Sequence, residues 1–170
     1  MGSGKDAYWY NLEPEMGGVE AKLAELGIEL PKTYAPIGAY VPCKVVGEYL
    51  WVSGMIPIVE GKLTYEGKVG GEISFEVACE CARIATLNAL AFARDALGTL
   101  DKIVEVVRVQ GFIASAEGFF DQPKVLNSAS ELLFSLFGEA GKHTRVAVGV
   151  CQLPMNAPLE IDFIFKVKAD

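Results

Sequence analysis

Arg145 and Glu160 are the two side chains whose types and spacing suggest chemistry. Arg145 opens a segment in which Val146, Val148 and Val150 alternate with Arg145, Ala147 and Gly149, the period of a half-buried strand. Gln152 to Pro158 reads as a turn, after which Leu159, Ile161, Phe163, Phe165 and Val167 alternate with Glu160, Asp162 and Lys166. Two strands joined by that turn would bring Arg145 and Glu160 close together, both on non-core faces near the connection. A guanidinium is a planar fork of donors suited to a carboxylate, and a neighbouring glutamate can take a proton or aim a water. The pair therefore points to chemistry on a small acid. On pattern alone it also fits a surface ion pair on a hairpin, which is worth little, so both readings stay open.

Periodicity along the chain outlines the scaffold for these residues. Val19 to Gly27 has the pattern of a short amphipathic helix with Val19, Leu23 and Leu26 on one stripe, and Pro31 to Pro36 is a proline-punctuated connection. Val41 to Val46 and Tyr49 to Ser53 flank Gly47-Glu48, a hairpin signal. Gly54 to Gly71 reads as a loop with few constraints. Ser74 can cap a long helix, with Glu76 at its positive end. In that helix Phe75, Ala78, Ala82, Ala85, Ala89, Phe92 and Ala96 recur at three- and four-residue steps, and the alanines make a flat face that can lie on a sheet. Gly98 ends it. Ile103 to Ser115, β-branched and apolar, reads as a central strand. A second helix starts at Asp121 or Gln122, tolerates Pro123 in its first turn and carries Val125, Ala129, Leu132, Leu133 and Leu136 as its core stripe before Gly138 stops it. The order hairpin, helix, strand, helix, two strands predicts an α+β fold: a mixed β-sheet with two helices packed on one face. The other face would be left to water unless another chain covers it.

With 170 residues the chain fits one domain, residues 19–170, behind a tail at 1–18. In the tail, Tyr8, Trp9 and Tyr10 form an aromatic cluster whose packing is left open, and Met1 to Lys5 are open to being vector-derived. A hydrophobic content of 51% with a mean hydropathy of +0.29 is rich for this size, so part of the apolar surface is expected to meet another subunit. No uninterrupted apolar run approaches the roughly 18–20 residues that span a bilayer, and the first residues lack a signal-peptide layout. A cytoplasmic protein with no membrane partner is expected. Cys43, Cys79, Cys81 and Cys151 form no CxxC pair, and Cys79 and Cys81 lie two apart in a helical region, where they face different ways. No metal is therefore expected, and reduced thiols suit a cytoplasm. A net charge of −7, with 15 scattered basic residues, argues against a nucleic-acid partner, which would need clustered Lys and Arg.

Four segments carry a resemblance: Ile37-Gly38-Ala39-Tyr40-Val41-Pro42, Trp51-Val52-Ser53-Gly54-Met55-Ile56-Pro57, Val125-Leu126-Asn127, and the stretch from His143 to Phe165. In order and spacing they resemble the Rid family of reactive-intermediate deaminases, also called the YjgF or L-PSP family. The opening from Val19 and the Gly67 to Gly71 stretch resemble its longer-chain subgroup. The resemblance implies a chorismate-mutase-like fold, a homotrimer with a cleft at each subunit interface, and a small carboxylate-bearing metabolite as ligand. It assigns Arg145 to the substrate carboxylate, with the Ser53-Gly54 backbone helping to hold it. Glu160 would position the hydrolytic water, Tyr40 would form an aromatic wall, and Asn127 would be the polar residue near the second helix's entry. Taken singly, Ser53-Gly54 also reads as a strand end, Tyr40 as an edge residue, Asn127 as a helix-surface residue and Glu160 as an exposed strand charge.

The implied reaction is hydrolysis of an amino-acid-derived enamine or imine, such as 2-aminoacrylate, to a 2-keto acid and ammonia, with no cofactor. The rival reading is a trimeric protein that binds a small carboxylate without turning it over. A chorismate-mutase-like pericyclic catalyst would want several converging cations, and only Arg145 is well placed. The chain departs from the family pattern in two places. Ala147 stands where many members carry a cysteine, and the GEAGKH segment before Arg145 differs from the shorter members' linker. His143, the sole histidine, ends that segment and reads either as a solvated residue or as part of the cleft rim.

Overall fold

A computed structural model describes residues 17–35 and 38–168; Ile37 and the Tyr8-Trp9-Tyr10 cluster lie outside the described residues. The elements in order are α1 (Gly18–Glu25), β1 (Cys43–Val46), β2 (Tyr49–Met55), β3 (Ile58–Val59), β4 (Lys62–Leu63), α2 (Phe75–Leu97), β5 (Ile103–Ala114), α3 (Gln122–Phe137), β6 (Thr144–Val150) and β7 (Leu159–Val167). Five strands form one sheet in the order β1-β2-β7-β5-β6, and β3 pairs with β4 apart from it. Neighbours are antiparallel except β5 and β6, which run parallel. A parallel pair needs a crossover, and α3 supplies it.

Local chemistry explains the elements. Gly47 takes the left-handed conformation (φ 61°) that a two-residue hairpin turn requires, so Cys43 pairs with Val52 and Val46 with Tyr49. The Ser74 hydroxyl accepts from the Val77 N–H at 3.3 Å and caps α2. At the other end Gly98 turns left-handed (φ 82°), and its N–H donates to the Arg94 carbonyl at 2.7 Å. Ala78, Ala82, Ala85, Ala89 and Ala93 are all buried, giving α2 a flat contact with the sheet. The expected stripe frays at both ends, where Phe75 and Ala96 are exposed. On α3, Val125, Leu126, Ala129, Leu132, Leu133 and Leu136 are buried. Both long helices thus cover one face of the sheet, packing on Phe163, Phe165, Ile161, Val109 and Ile113.

Two expectations need correction. Leu26 is not on the buried stripe of α1 but caps its C-terminus, largely exposed. The stretch 54–71 is not a loosely constrained loop. It begins inside β2, contains the β3–β4 pair, and carries Val69, fully buried and bridged to Ile73 and Ser115. The buried Asn88 amide on α2 ties it down further, donating to the Ile56 and Ile58 carbonyls at 3.1 and 3.0 Å. The uncovered face of the sheet presents Trp51, Tyr49, Val46 and Val148, all substantially exposed.

Candidate functional site

Strand register decides where the two candidate residues point. The parallel pairing sets Val109 beside Arg145, Gly111 beside Ala147 and Ile113 beside Gly149. Val109 and Ile113 are fully buried under the helices, and partners in register share a face. Arg145, Ala147 and Gly149 therefore lie on the helix-covered face, and Val146, Val148 and Val150 on the open one. The valine alternation had suggested the reverse. Side-chain size supplies the reason: a Cβ on Gly149 would come within 2.8 Å of Gln122 Nε2, and one on Gly111 within 2.7 Å of Leu126. The crossover helix is seated over small residues, which leaves the valines for the opposite side.

Glu160 points the other way. Leu159 and Ile161 are fully buried, so Glu160 between them is on the open face, where it pairs with Phe112. Phe112 pairs in turn with Val148, three residues along β6 from Arg145. Arg145 and Glu160 are thus separated by roughly 10 Å along the strands and about 10 Å across them, on opposite faces. The expectation that one chain brings them close is overturned. The β6–β7 connection does not form a hairpin, because β5 lies between the two strands.

Each residue sits in its own cluster. Arg145 leaves the edge strand β6 toward α3, where its NH1 donates to Asn127 Oδ1 at 2.8 Å and Ser130 Oγ at 3.1 Å. Asn127 and Ser130 are one helical turn apart and face the same way. Both NH1 protons are used, and among the described residues no carboxylate pairs with the guanidinium, leaving Nε and NH2 as an open edge. His143 lies against the same hydroxyl. Its Nδ1 is 2.6 Å from the Gly141 carbonyl and its Nε2 is 3.0 Å from Ser130 Oγ. A carbonyl only accepts, so Nδ1 carries the proton and Nε2 accepts from Ser130. Burial, reinforced by the Arg145 charge, holds the imidazole below its usual range despite the Gly141 hydrogen bond. Glu131, Phe134 and Lys142 complete the lining of this shallow groove. His143 is thus half-buried and doubly bonded rather than solvated. Sequence reasoning missed Ser130; the signal available was its i+3 spacing from Asn127.

The second cluster gathers Ser53, Gly54 and Glu160, with the chain after Tyr40 bonded alongside. β2 bulges against β7 between the pairs Val52–Phe163 and Met55–Ile161, and Ser53-Gly54 forms the bulge. The Glu160 carboxylate lies directly over Gly54: any Cβ there would collide with it, reaching its Cδ at 2.6 Å. The Ser53 hydroxyl donates to the Val41 carbonyl at 2.8 Å and its N–H to the Pro42 carbonyl at 2.9 Å, fastening the exposed Tyr40 segment alongside. Burial, then the neighbouring Asp162, raises the Glu160 carboxyl above its ordinary range. Asp162 accepts from Gln110 Nε2 at 2.9 and 3.0 Å, and Gln110 Oε1 accepts from Arg108 at 3.0 Å. A polar row therefore crosses the open face beside Glu160.

Among the described residues no group of three His, Cys, Asp or Glu side chains could hold a metal, and no helix is long and apolar enough to cross a membrane. The four cysteines are unpaired, and burial pushes the Cys43 and Cys81 thiols up to about 12.

Residues 20–166 match the family described as "YjgF/chorismate_mutase-like, putative endoribonuclease", and the chain belongs to that family. Protein TCP17 of Trypanosoma cruzi is 38% identical over 152 residues, which is 89% of this chain and 95% of that protein. The crystal structure of Atu1372 from Agrobacterium tumefaciens, a protein of unknown function, superposes with a TM-score of 0.80 at 39% identity, covering 89% of this chain and 92% of the other. The fold extends to E. coli TdcF, solved with bound serine, at a TM-score of 0.60 and 23% identity over 81% of this chain and 94% of that one. The mixed sheet with two helices on one face is thus this family's chorismate-mutase-like fold.

Proposed function

We propose that the protein hydrolyses reactive enamine or imine intermediates of amino acids, of the 2-aminoacrylate kind, to 2-keto acids and ammonia in clefts between the subunits of a homotrimer. The observation that carries the reading is the Arg145 guanidinium, bonded to the neutral Asn127 and Ser130 and offering its Nε–NH2 edge outward. A fork held in that way is organised for a carboxylate before one arrives. TdcF, the relative solved with serine, holds a ligand that carries an amino-acid carboxylate. Glu160 supplies the second requirement. Its raised carboxyl is suited to taking a proton from water and returning it to the departing nitrogen. The C=N carbon is already electrophilic, so positioning and proton transfer account for the chemistry.

The separation of Arg145 and Glu160 within one chain supports a cleft built from two copies. The apolar side chains on the open face, Trp51, Tyr49, Val46 and Val148, suit burial against another subunit. The same separation favours one alternative, a trimer that binds a small carboxylate through Arg145 without turning it over. One assay divides the two. 2-Aminoacrylate generated in situ by a serine or threonine dehydratase should release ammonia and keto acid faster when the protein is added. Carboxylate binding by calorimetry without any such acceleration, across a set of amino-acid-derived imines, selects the binding protein.

A further inference from the structure

We propose that His143, acting through Ser130, is a positioning residue that sets the grip of Arg145 on a carboxylate. The inference rests on the reading of Arg145 as a carboxylate clamp and adds two side chains to it. A serine inside a helix usually returns its hydroxyl proton to the carbonyl four residues back. Ser130 is placed otherwise. The Gly141 carbonyl fixes the proton of His143 on Nδ1, so Nε2 must accept, and the one hydroxyl proton of Ser130 is directed to it. That leaves the oxygen lone pairs for Arg145 NH1. With Asn127 taking the other NH1 proton, the plane of the guanidinium is fixed and its Nε–NH2 edge is aimed away from α3. Without an acceptor at Nε2, the Ser130 hydroxyl is free to turn and the guanidinium loses one of its two supports.

The chain of bonds also links carboxylate binding to protonation. The charged groups lining the groove around His143 are Arg145 from β6, Glu131 from α3 and Lys142 from the turn after α3, the last paired with Glu139 at 2.7 Å. Arg145 is the charge that acts on the imidazole. A carboxylate seated on Arg145 cancels much of that charge and so favours the imidazolium. By reciprocity, protonating His143 favours the carboxylate. In that state Nε2–H donates to Ser130 Oγ, and the hydroxyl proton is released to turn toward the bound anion. Affinity should therefore rise as pH falls through the imidazole range.

Pyruvate titrated calorimetrically into the full-length protein between about pH 5 and 8 tests this, with Ser130→Ala, Ser130→Thr and His143→Gln alongside. The first should bind about tenfold more weakly, the loss expected from removing one hydrogen bond to a charged group. The threonine variant, which keeps the hydroxyl, should restore affinity, and His143→Gln should flatten the pH profile. A structural role alone would move none of the pH dependence. Alanine favours helix, so Ser130→Ala should remain folded. Because the chain has one histidine, its ring nitrogens give a single set of NMR signals, expected as the Nδ1–H tautomer with a pKa that moves up when pyruvate is added. Wild-type affinity and an unchanged pH profile in Ser130→Ala and His143→Gln would overturn the inference and leave the carboxylate clamp standing. Failure of the wild-type protein to bind pyruvate at all would overturn both.

Discussion

Mixing two inactive variants gives the sharpest test of where the cleft lies. Arg145→Lys keeps the charge but loses the planar fork. It gives up the paired support of Asn127 and Ser130, at 2.8 and 3.1 Å, together with one of two ligand bonds. A hydrogen bond to a charged group contributes about 1.5–3 kcal/mol, so carboxylate affinity should fall by about 10- to 100-fold or more, and turnover with it. Glu160→Gln keeps shape and should spare binding while slowing hydrolysis by about 10²-fold or more. If each cleft takes Arg145 from one copy and Glu160 from the next, hybrid trimers contain clefts in which both residues are wild type. In a ring assembled at random from equal amounts, about one cleft in four pairs an intact arginine with an intact glutamate, so about a quarter of wild-type activity should return. The assay is ammonia release after the two variants are co-refolded or co-expressed, with each variant alone as baseline. A site assembled within one chain returns nothing on mixing. A mixture no more active than its parts, from hybrids shown by mass spectrometry to have formed, would therefore refute the two-copy cleft.

Light scattering should give about three times the chain mass, with Trp51→Asp on the open face driving the assembly toward monomer; a stable wild-type monomer at micromolar concentration would remove the interface and any site across it. Gly111→Ala should lower stability by about 1–3 kcal/mol, because its Cβ would lie 2.7 Å from both terminal methyls of Leu126, and an unchanged melting temperature would contradict that packing. Burial raises the Glu160 carboxyl, so the folded state prefers it protonated. The stability that this preference contributes is complete below the ordinary carboxylate range and fades as pH rises through the raised pKa. Glu160→Gln should escape that loss, and denaturant titrations of both proteins from acid to neutral pH should diverge in its favour. A base with a raised pKa also predicts an acid limb in kcat/KM above the ordinary glutamate range, absent from Glu160→Gln.

What the sequence made legible follows from how local each signal is. The Ser74 cap, the Gly98 stop, the alanine face of α2 and the Gly47 turn are settled within a few residues of chain, and each appears where its chemistry demands. The core stripe of α3 was legible for the same reason. The failures are non-local. Period-2 alternation says that β6 has two faces without saying which one is covered. The answer lies in Gly111 and Gly149, which make room for Leu126 and Gln122. Likewise the turn from Gln152 to Pro158 looks like a hairpin because β6 and β7 are consecutive, yet β5 intervenes. Parallel pairing through α3 takes the place beside β6 that a hairpin would have filled.

This one change of neighbour alters the chemistry that can be assigned. As hairpin partners, Arg145 and Glu160 would have been a surface ion pair, each cancelling the other's charge. Separated by β5 and turned to opposite faces, each is left with local companions of a different kind. Arg145 has two neutral acceptors and an open edge, whereas Glu160 has the bare backbone of Gly54 and a burial that raises its pKa. An arginine with no counter-ion among the described residues is available to an anionic ligand, and a carboxyl with a raised pKa is available to a proton. In the proposed two-copy cleft, keeping them apart in the chain would preserve both properties until a second copy and a substrate brought them to the same molecule.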